Sequence, residues 1–335
     1  MSAWLPEDLR LLNSMRSRFL TGTAGAFDYW NSPKTLELYD ATFARRIGWK
    51  WDAVLGELAL RGWRPKTKRL VDLACGTGIA TRRVLEHWKD YFSEVTLVDR
   101  SPLARQDASL RVSSTFPACS VRQDSNWEKH VEGAVVLLSH VLTEISDTVV
   151  GEWVAGLKKA EAVIWVESAT HETSRRLGTL VRDRLIGMGG WRVVAPCTHS
   201  KECPMRGEKR ESDWCHHFAQ VPSEVHQDAA VQEWGRELGV DLRVLPYQFL
   251  VLENTGNQEV KKLEEGSRVI GRARMLKGHH RVLMCSAEGV EEKVVQKRDV
   301  PELYRDLKRE EGVPLYRLDC EGARVRQASR LFEEK

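Results

Sequence analysis

The chain of 335 residues is 42% hydrophobic and 30% charged, with a formal net charge of +3. These values are typical of a globular protein with enough chain for one large or two modest domains. The sequence contains no apolar run of about eighteen residues, so it predicts no membrane span. Its start lacks an apolar stretch and carries Glu7 and Asp8, which indicates a cytosolic protein or one whose targeting segment has been removed. Seven cysteines, an odd number, argue against a disulfide framework in such a compartment.

Residues 1–65 are predicted to be helical. Pro6 opens one helix, with acids placed near the positive end of the helix dipole, and Ser32-Pro33 opens another. Apolar residues then recur at helical spacing. We interpret this region as an amphipathic helical cap over the next domain. Because aromatic and basic residues alternate in it, a contact with nucleic acid is the alternative.

A glycine-containing turn follows in residues 68–81, KRLVDLACGTGIAT, between a short apolar strand and a helix. Glycine lets the backbone turn tightly and approach a ligand closely. About twenty residues further on, a second strand ends in Asp99, where a carboxylate can accept hydrogen bonds from ribose hydroxyls. Strand, turn, helix and a second strand with its acid together predict a nucleotide-binding α/β domain.

This arrangement resembles the class I S-adenosylmethionine-dependent methyltransferases, whose first motif is acid-x-Gly-x-Gly-x-Gly. The chain matches it with Ala74 in place of the first glycine. The resemblance implies that Asp99 holds the ribose and that Asp124 lies near the adenine, although Asp124 also fits a plain surface loop. A nicotinamide-dependent dehydrogenase fits less well, because the third glycine of Gly-x-Gly-x-x-Gly is missing. The implied cofactor-binding residues are Asp72, Ala74, Gly76, Gly78, Asp99 and Asp124.

The strand at residues 134–138 occupies the fourth position of such a sheet. In this architecture the residues just past it face the transferred methyl group, so His140 and Glu144 are catalytic candidates. Packing residues at the start of a helix are the alternative interpretation. The Asn/Asp-Pro-Pro-Tyr signature of amino-methylating enzymes is absent, and the reaction is therefore not named by the sequence. A further strand at 162–167 and a charged helix at 173–186 are predicted next.

Four cysteines, at positions 197, 203, 215 and 285, lie in distinctive local sequences. Structural zinc sites usually draw their ligands from Cys-x₂₋₄-Cys pairs, and this spacing contains none. Iron–sulfur clusters take four thiolates with looser spacing. Zinc completed by His199, His216 or His217 remains open, as do buried cysteines that act as small hydrophobic residues. Pro196-Cys197 falls after the fifth strand, too late in the chain for the nucleophile of a cytosine-C5 methyltransferase.

Pro-Cys-x-His, Cys-Pro and Asp-Trp-Cys-His, behind such a domain, resemble the methyltransferase-like small-ribosomal-subunit family of bacteria and mitochondria. The resemblance runs from about Asp28 to Asp319 and departs from the family at His217 and Ala74. It implies a [4Fe–4S] cluster, binding of S-adenosylmethionine, and a monomer that acts on the small ribosomal subunit and its rRNA, in the bacterial cytoplasm or the mitochondrion. Either methylation of rRNA or assistance in assembly is consistent with it. The implied cluster ligands are Cys197, Cys203, Cys215 and Cys285.

The segment from residue 268 to 281 contains five Lys or Arg, two His and no acid. Each Lys or Arg that neutralises a phosphate releases a counterion, so this segment is a candidate RNA-binding face. A solvated basic edge strand is the alternative. The remainder of the chain is predicted to be an exposed helix followed by a short end. The candidate RNA-binding residues are Arg268, Arg272, Arg274, Lys277 and Arg281.

The sequence therefore predicts an α/β fold: a Rossmann-like class I methyltransferase domain with an N-terminal helical cap, a cysteine-rich metal-binding insertion and a small β-rich C-terminal segment. The predicted boundaries are 1–65 for the helical region, 66–190 for the methyltransferase-like core, 191–220 for the insertion, 221–260 for the remainder of the core and 261–335 for the basic C-terminal segment.

Overall fold

The computed structural model describes residues 4–21, 28–206, 213–256, 266–310 and 312–332. Its helices, in chain order, are α1 (Pro6–Leu20), α2 (Pro33–Tyr39), α3 (Arg45–Leu60), α4 (Ile79–His87), α5 (Pro102–Thr115), α6 (Asp147–Leu157), α7 (His171–Arg176), α8 (Asp183–Gly187), α9 (Glu224–Gln227), α10 (Ala229–Glu237) and α11 (Pro301–Arg309). None of the helices in these ranges combines the length and apolar character needed to cross a membrane.

The strands, in chain order, are β1 (Arg69–Leu73), β2 (Glu94–Val98), β3 (Ser120–Asp124), β4 (Val135–Ser139), β5 (Ala162–Ser168), β6 (Trp191–Ala195), β7 (His217–Ala219), β8 (Leu245–Asn254), β9 (Ser267–Leu276), β10 (His279–Ser286), β11 (Gly289–Gln296), β12 (Leu315–Glu321) and β13 (Arg324–Arg330). The chain divides into two compact units. The first comprises Met1–Leu55, Pro65–Glu167 and Val221–Leu245; the second comprises Gly56–Arg64, Ser168–Gln220 and Pro246–Lys335.

In the first unit, the strands are parallel and lie in the order β3-β2-β1-β4-β5. β4 is buried along almost its whole length, as expected for a strand covered on both faces by crossover helices. The order runs outward from β1 in both directions, which is the Rossmann-like arrangement predicted from the sequence. Because ligands of such sheets bind at the carboxyl ends of the strands, the glycine turn after β1 and Asp99 after β2 lie at the binding edge.

The predicted helix starts in the first unit are confirmed. α1 begins at Pro6, and α2 begins at Pro33 behind Ser32, whose Oγ accepts a hydrogen bond from the Thr35 backbone N–H at 3.2 Å. A side-chain oxygen at this position satisfies one of the free N–H groups at a helix start. Residues 22–27, within the predicted helical cap, lie outside the described residues.

In the second unit, β6 and β7 each pair with β8, and β6 runs antiparallel to it. The strands β9 to β13 form a closed barrel in the order β10-β11-β13-β12-β9. The pairing of β11 with β13 is parallel, and the other pairings are antiparallel. α11 connects β11 to β12. The barrel core is formed by buried side chains from strands and helix together: Val269, Val282, Met284, Val295, Val300, Leu303, Leu307, Tyr316 and Val325.

The end of the chain corrects one prediction. The exposed helix exists as α11, but the short end after it is instead the strand pair β12 and β13, which closes the barrel. The alternation of apolar and polar residues around Tyr316 and Val325 was the missed signal, since it is the two-residue period of a half-buried strand. Gly322, with φ +59°, makes the turn between the two strands in a conformation that favours glycine.

A buried ion network lies in the second unit. Glu57 accepts hydrogen bonds from Arg61 at 2.7 Å and from Arg268 at 2.7 and 2.9 Å. The Arg268 side chain is only 3% exposed. Arg268 was a candidate RNA-binding residue, but its guanidinium is committed to this network and is not available to phosphate.

We predict that Glu57→Gln lowers the free energy of unfolding by about 3–5 kcal/mol, because it leaves two buried guanidinium groups without a counter-charge. Urea-induced unfolding measures the change. Glu292→Gln is the matched control: it removes the partner of Arg281 from a pair whose side chains are 46% and 45% exposed, and we expect a change below about 1 kcal/mol. Equal effects of the two substitutions would contradict a structural role for the buried network.

Candidate functional site

A cavity of about 240 Å³ lies in the first unit, at the carboxyl ends of β1, β2 and β4. It brings together the glycine turn, Asp99, His140 and Glu144, which were predicted from separate parts of the sequence. Aromatic side chains form much of its remaining wall, among them Tyr29, Trp30 and Tyr39, which the sequence assigned only to the helical cap. Its lining includes Tyr29, Trp30, Tyr39, Ala74, Cys75, Gly76, Thr77, Asp99, Arg100, Ser125, Trp127, His140, Glu144 and Trp153.

Asp99 holds the glycine turn from its position after β2. Its Oδ2 accepts the Gly76 backbone N–H at 3.0 Å, and its Oδ1 accepts the Ser101 backbone N–H at 2.9 Å. Burial raises the pKa of Asp99, although these two N–H donors act in the opposite direction. Each carboxylate oxygen keeps further acceptor capacity. Asp99 can therefore position the turn and also accept hydrogen bonds from a ligand in the cavity.

The turn itself has left-handed backbone at three positions: Ala74 with φ 63°, Gly76 with φ 51° and Gly78 with φ 73°. Glycine adopts this region without strain, whereas an L-residue does not. A Cβ at Gly78 would lie 3.1 Å from the Ala108 Cβ, so this glycine is also required for close helix packing. Ala74 thus carries strain at the one position where the motif departs from glycine.

Asp72 supports the turn from beneath and does not line the cavity. Its Oδ2 accepts hydrogen bonds from the Thr81 backbone N–H and hydroxyl at 3.3 and 2.7 Å. Burial raises the pKa of Asp72 to about 6, against the lowering effect of these hydrogen bonds. In the cavity wall, the Thr77 hydroxyl is buried and has no hydrogen-bond partner among the described residues. An unpartnered buried hydroxyl fits a wall that receives a polar ligand.

Asp124 lies at the end of β3, with its carboxylate 2.8 Å from the His130 ring. That hydrogen bond lowers the pKa of Asp124 to about 2. The neighbouring residues Ser125 and Trp127 line the cavity. The segment after β3 therefore does reach the cavity, and Trp127 supplies the aromatic surface there that the sequence analysis missed.

His140 follows β4 with a left-handed φ of 53°, uncommon for a residue other than glycine. Its Nε2 lies 3.1 Å from the Nζ of Lys50, and its Nδ1 lies 3.4 Å from the Ser139 Oγ. Burial, reinforced by Lys50, lowers the pKa of His140 well below its usual value, so the ring is neutral at pH 7. Burial also lowers the pKa of Lys50 well below its usual value. The sequence analysis did not identify Lys50.

Glu144 lies in the cavity wall, with its Oε1 accepting a hydrogen bond from the Tyr29 hydroxyl at 3.2 Å. Burial raises the pKa of Glu144 to about 7, against the lowering effect of Tyr29. A carboxylate with this pKa can accept a proton and release it near neutral pH. His140 and Glu144 are thus two titratable groups on one cavity whose environments move their pKa values in opposite directions.

A second candidate site, in the second unit, contains the four predicted metal ligands. Cys197, Cys203 and Cys215 line one small cavity of about 40 Å³. Cys203, Cys215 and Cys285 pack against a common apolar cluster of Met205, Ile270 and Val290. The structure thus brings together thiols from segments up to 88 residues apart in the sequence. All four are free thiols.

The thiols also influence one another electrostatically. Burial, followed by the neighbouring thiols, raises the pKa of Cys203 to about 11 and that of Cys215 to about 12. The same causes, in the same order, raise the pKa of Cys285. Cysteine binds a metal as the thiolate, and a positively charged centre stabilises that form. This donor set therefore fits a thiolate-bound metal centre.

Arg268 connects three of the four cysteine segments. It lies opposite Cys285 in the register of β9 and β10, and its Nη1 donates to the Pro196 carbonyl at 3.2 Å, next to Cys197. Its Nε donates to the His217 Nδ1 at 3.3 Å, two residues after Cys215. The residue predicted to face RNA therefore organises the cysteine site.

Arg182 and Asp183 fix the fourth segment. The Nη2 of Arg182 donates to the carbonyls of His199 and Lys201, both at 2.8 Å, and Asp183 Oδ1 accepts the Cys203 backbone N–H at 3.2 Å. Gly178 faces Cys203, and an added Cβ there would lie 3.3 Å from the sulfur. The loop between Cys197 and Cys203 is thus held by side chains, and space beside the sulfur is kept by a glycine.

The histidines near the cysteines take positions beside two thiols. His199 Nε2 lies 3.8 Å from the Cys285 sulfur, and His217 Nε2 lies 3.8 Å from the Cys215 sulfur. His216 instead stacks on Trp214, with ring centroids 4.9 Å apart. Among the residues that the structure describes, no three His, Cys, Asp or Glu side chains are grouped as ligands of a single metal ion. Residues 207–212, inside the cysteine-rich segment, lie outside that description.

The other candidate RNA-binding residues lie on β9, β10 and the turn between them. Arg272 pairs with Glu310, and Arg281 pairs with Glu292. Arg274 and Lys277 are exposed and have no ion pair within the described ranges. Exposed pairs contribute at most about 1 kcal/mol, so all four side chains can be recruited by an anionic ligand.

The fold and the cavity define a Rossmann-like protein of the class I methyltransferase type. The family described as "mitochondrial small ribosomal subunit Rsm22" matches residues 50–313, well over half of the chain, and the chain belongs to this family. A search of curated proteins finds no match.

Several solved structures are similar at low identity. A proposed RNA methyltransferase of Pyrococcus horikoshii is 12% identical, with a TM-score of 0.38, covering 62% of this chain and 85% of its own. The magnesium protoporphyrin IX methyltransferase of Synechocystis PCC 6803 is 11% identical, with a TM-score of 0.38, covering 76% and 100%. The [4+2]-cyclase SpnF is 15% identical, with a TM-score of 0.35, covering 61% and 81%. Similarities at this level say nothing about the reaction or the substrate.

We predict that Ala74→Gly raises the free energy of unfolding by about 0.5–1 kcal/mol. Relief of the left-handed strain, about 1–2 kcal/mol, exceeds the added entropy of glycine in the unfolded chain, about 0.4–1 kcal/mol. Thermal unfolding tests this. Ala80→Gly, at a buried position inside α4, is the control and should destabilise. Destabilisation by both substitutions would mean that Ala74 is not strained.

Proposed function

We propose that the chain binds S-adenosylmethionine in the cavity of the first unit and a [4Fe–4S] cluster in the second, and that it acts on the rRNA of the small ribosomal subunit. The observation that supports cofactor binding is the convergence of the glycine turn, Asp99 and the segment after β4 on one cavity. Membership of a family named for the mitochondrial small ribosomal subunit supports the site of action. The protein would work as a monomer in the mitochondrion or the bacterial cytoplasm.

Different residues around the cavity would bind the cofactor and accept a proton. When bound, S-adenosylmethionine supplies an activated methyl group to a nucleophile. Asp99 would accept hydrogen bonds from the ribose, the turn at Gly76 would allow close approach of the ligand, and Trp127 would pack against an apolar or aromatic part of it. Glu144 Oε2 or Oε1 would accept the proton that the nucleophile loses, because burial places the pKa of Glu144 at about 7.

A second function, assistance in small-subunit assembly without methyl transfer, is favoured by a different observation. The Nε2 of His140 lies within hydrogen-bond distance of the buried amine of Lys50, and the Oε1 of Glu144 accepts a hydrogen bond from the Tyr29 hydroxyl. Both catalytic candidates are thus already engaged within the unit. In this alternative the first unit is a scaffold, and the metal centre rigidifies an RNA-facing surface.

At the second site, the four thiols would hold the metal centre: Cys197, Cys203, Cys215 and Cys285. The four-thiol donor set, gathered from segments far apart in the sequence, supports a cluster. A structural zinc site is the alternative, supported by the imidazoles of His199 and His217 beside two of the sulfurs.

We predict that Asp99→Ala weakens S-adenosylmethionine binding by at least about 100-fold, since it removes the ribose acceptor and leaves the Gly76 N–H without its partner. Isothermal titration calorimetry measures the affinity. Small-subunit co-sedimentation and an assembly assay are run on the same variant. Retained assembly activity without cofactor binding would show that methylation is dispensable and select the assembly function. Unchanged cofactor affinity would contradict the proposed pocket.

We predict that protein purified without oxygen is brown, with broad absorbance around ~400 nm and stoichiometric iron and sulfide. Cys285→Ser should abolish the colour, and Cys119→Ser, at a cysteine outside the site, should retain it. Iron, sulfide and zinc are assayed on the same samples. Zinc without sulfide would contradict the cluster and support the structural zinc site. A colourless protein without metal would contradict both kinds of metal centre.

A further inference from the structure

The barrel of the second unit has a recognisable topology. Numbered by themselves, its strands β9 to β13 are strands 1 to 5, and they close in the order 1-2-3-5-4 with a helix between strands 3 and 4. Strands 3 and 5 are parallel. This is the arrangement of the OB-fold, in which the face around strands 2 and 3 and the loop between strands 1 and 2 bind oligonucleotides or oligosaccharides. The corresponding elements here are β10, β11 and the turn at residues 277–278.

The outer face of these strands is divided into two halves. Val282 and Met284 point into the barrel core, so the alternate residues of β10 point outward. At one end, Leu283 and Cys285 are covered by the apolar cluster of the cysteine site. At the other end lie basic side chains of β9, β10 and their turn, together with the exposed Met275 and Leu276. The half that remains open to a ligand is therefore cationic, and its basic residues are Arg272, Arg274, Lys277 and Arg281.

A row of aromatic rings leads onto this cationic half. Trp214, His216 and Phe218 alternate along the chain and are all partly exposed. Their ring centroids are 4.9 Å apart between Trp214 and His216 and 5.4 Å apart between His216 and Phe218. The Arg272 guanidinium lies 4.2 Å from the Phe218 ring centroid. We call Trp214, His216 and Phe218 the aromatic row.

The aromatic row is fixed to the barrel through Gly271. The Gly271 backbone N–H donates to the His216 carbonyl at 2.9 Å, and φ of Gly271 is +65°. A Cβ at this position would lie 2.8 Å from the His216 ring. Glycine is therefore needed where the row and β9 meet, and the rings are held rigidly beside the basic strand.

We propose that the aromatic row and the cationic half of the barrel form a binding site for an unpaired stretch of nucleic acid. Bases would stack on Phe218 and its neighbours, and the phosphates would contact Arg274, Lys277 and Arg281. Stacking requires bases that are free of a partner strand, whereas a duplex offers only its backbone. Arg274 and Lys277, with the exposed and recruitable Arg272 and Arg281, favour a polyanion over a neutral oligosaccharide. That the strand is RNA rests on the proposed function; the preference for single strands rests on the rings.

The test uses the full chain, with its metal content measured, and a fluorescein-labelled 12-nucleotide RNA of mixed sequence, either single-stranded or annealed to its complement. Fluorescence anisotropy gives the affinities at several salt concentrations. We expect Phe218→Leu to weaken single-strand binding about tenfold, because one stacked base is worth about 1–3 kcal/mol, and to leave duplex binding unchanged. Phe218→Tyr keeps a ring and should restore single-strand affinity.

The charge contribution is tested separately. Arg274→Ala should reduce the slope of log affinity against log salt by about 0.7, the value for one phosphate contact on a single strand. Arg243→Ala removes an exposed arginine of the first unit, one that pairs with Asp241, and is the control, with no expected change in slope. Equal affinity for single strand and duplex, or wild-type affinity in Phe218→Leu, would overturn the proposed site.

The same samples separate this proposal from the proposed function. If wild-type protein binds S-adenosylmethionine and small subunits while Phe218→Leu binds single strands normally, the aromatic row is not a binding site and the proposed function stands. If wild-type protein binds neither cofactor nor small subunits but binds single strands through Phe218, the proposed function fails and the nucleic-acid site stands.

Discussion

The second unit depends on one buried charge pair, that of Arg268 with Glu57. A guanidinium that is 3% exposed is stable only if its charge is neutralised and its donors are satisfied. Glu57 neutralises it, and the remaining donors reach the Pro196 carbonyl and His217. Pro196 and His217 each lie within two residues of a cysteine, and Cys285 lies opposite Arg268 in the sheet. The pair therefore helps to position the segments of three of the four thiols, Cys197, Cys215 and Cys285.

In the first unit, the cavity wall contains strained backbone, whereas the cysteine site of the second unit is organised by a buried ion pair. Its glycine turn must bend sharply after β1 so that the backbone can face a ligand, and Asp99 holds that bend through the Gly76 N–H. Ala74 and His140 both adopt left-handed backbone at the cavity wall. Two strained residues on one cavity indicate that its shape is maintained at a conformational cost, a feature that concentrates at functional sites.

The inner and outer faces of the barrel strands have different surroundings, and so do the two ends of the outer face. Its inner face forms a hydrophobic core with α11. Its outer face is shared, since one end covers the thiols and the other carries positive charge beside the aromatic row. A metal centre at the first end would fix the position of Cys285 on β10 and so stiffen the strand that also carries Arg281. Cys285 and Arg281 thus lie four residues apart on one strand.

Elements whose signals are local could be predicted from the sequence. The turn after β1, the acid at the end of β2 and the apolar strand β4 follow from glycine, charge and hydrophobic patterns within a few residues. So do the helix starts at Pro6 and Pro33. The cysteines were found the same way, from the residues on either side of each. Such features depend on short-range sterics and burial, which a window of sequence contains.

The surroundings of those residues could not be predicted, because they depend on contacts between distant segments. The segment from 268 to 281 is uniformly basic in sequence, yet Arg268 is buried in an ion pair and Arg274 is exposed. The difference arises because one end of the strand contacts Glu57, which lies 211 positions away in the chain. Lys50 beside His140, Trp127 in the cavity wall and the closure of the barrel by β12 and β13 have the same origin. Each depends on a contact between distant segments, and the free energy of such a contact is a property of the folded arrangement, not of either segment alone.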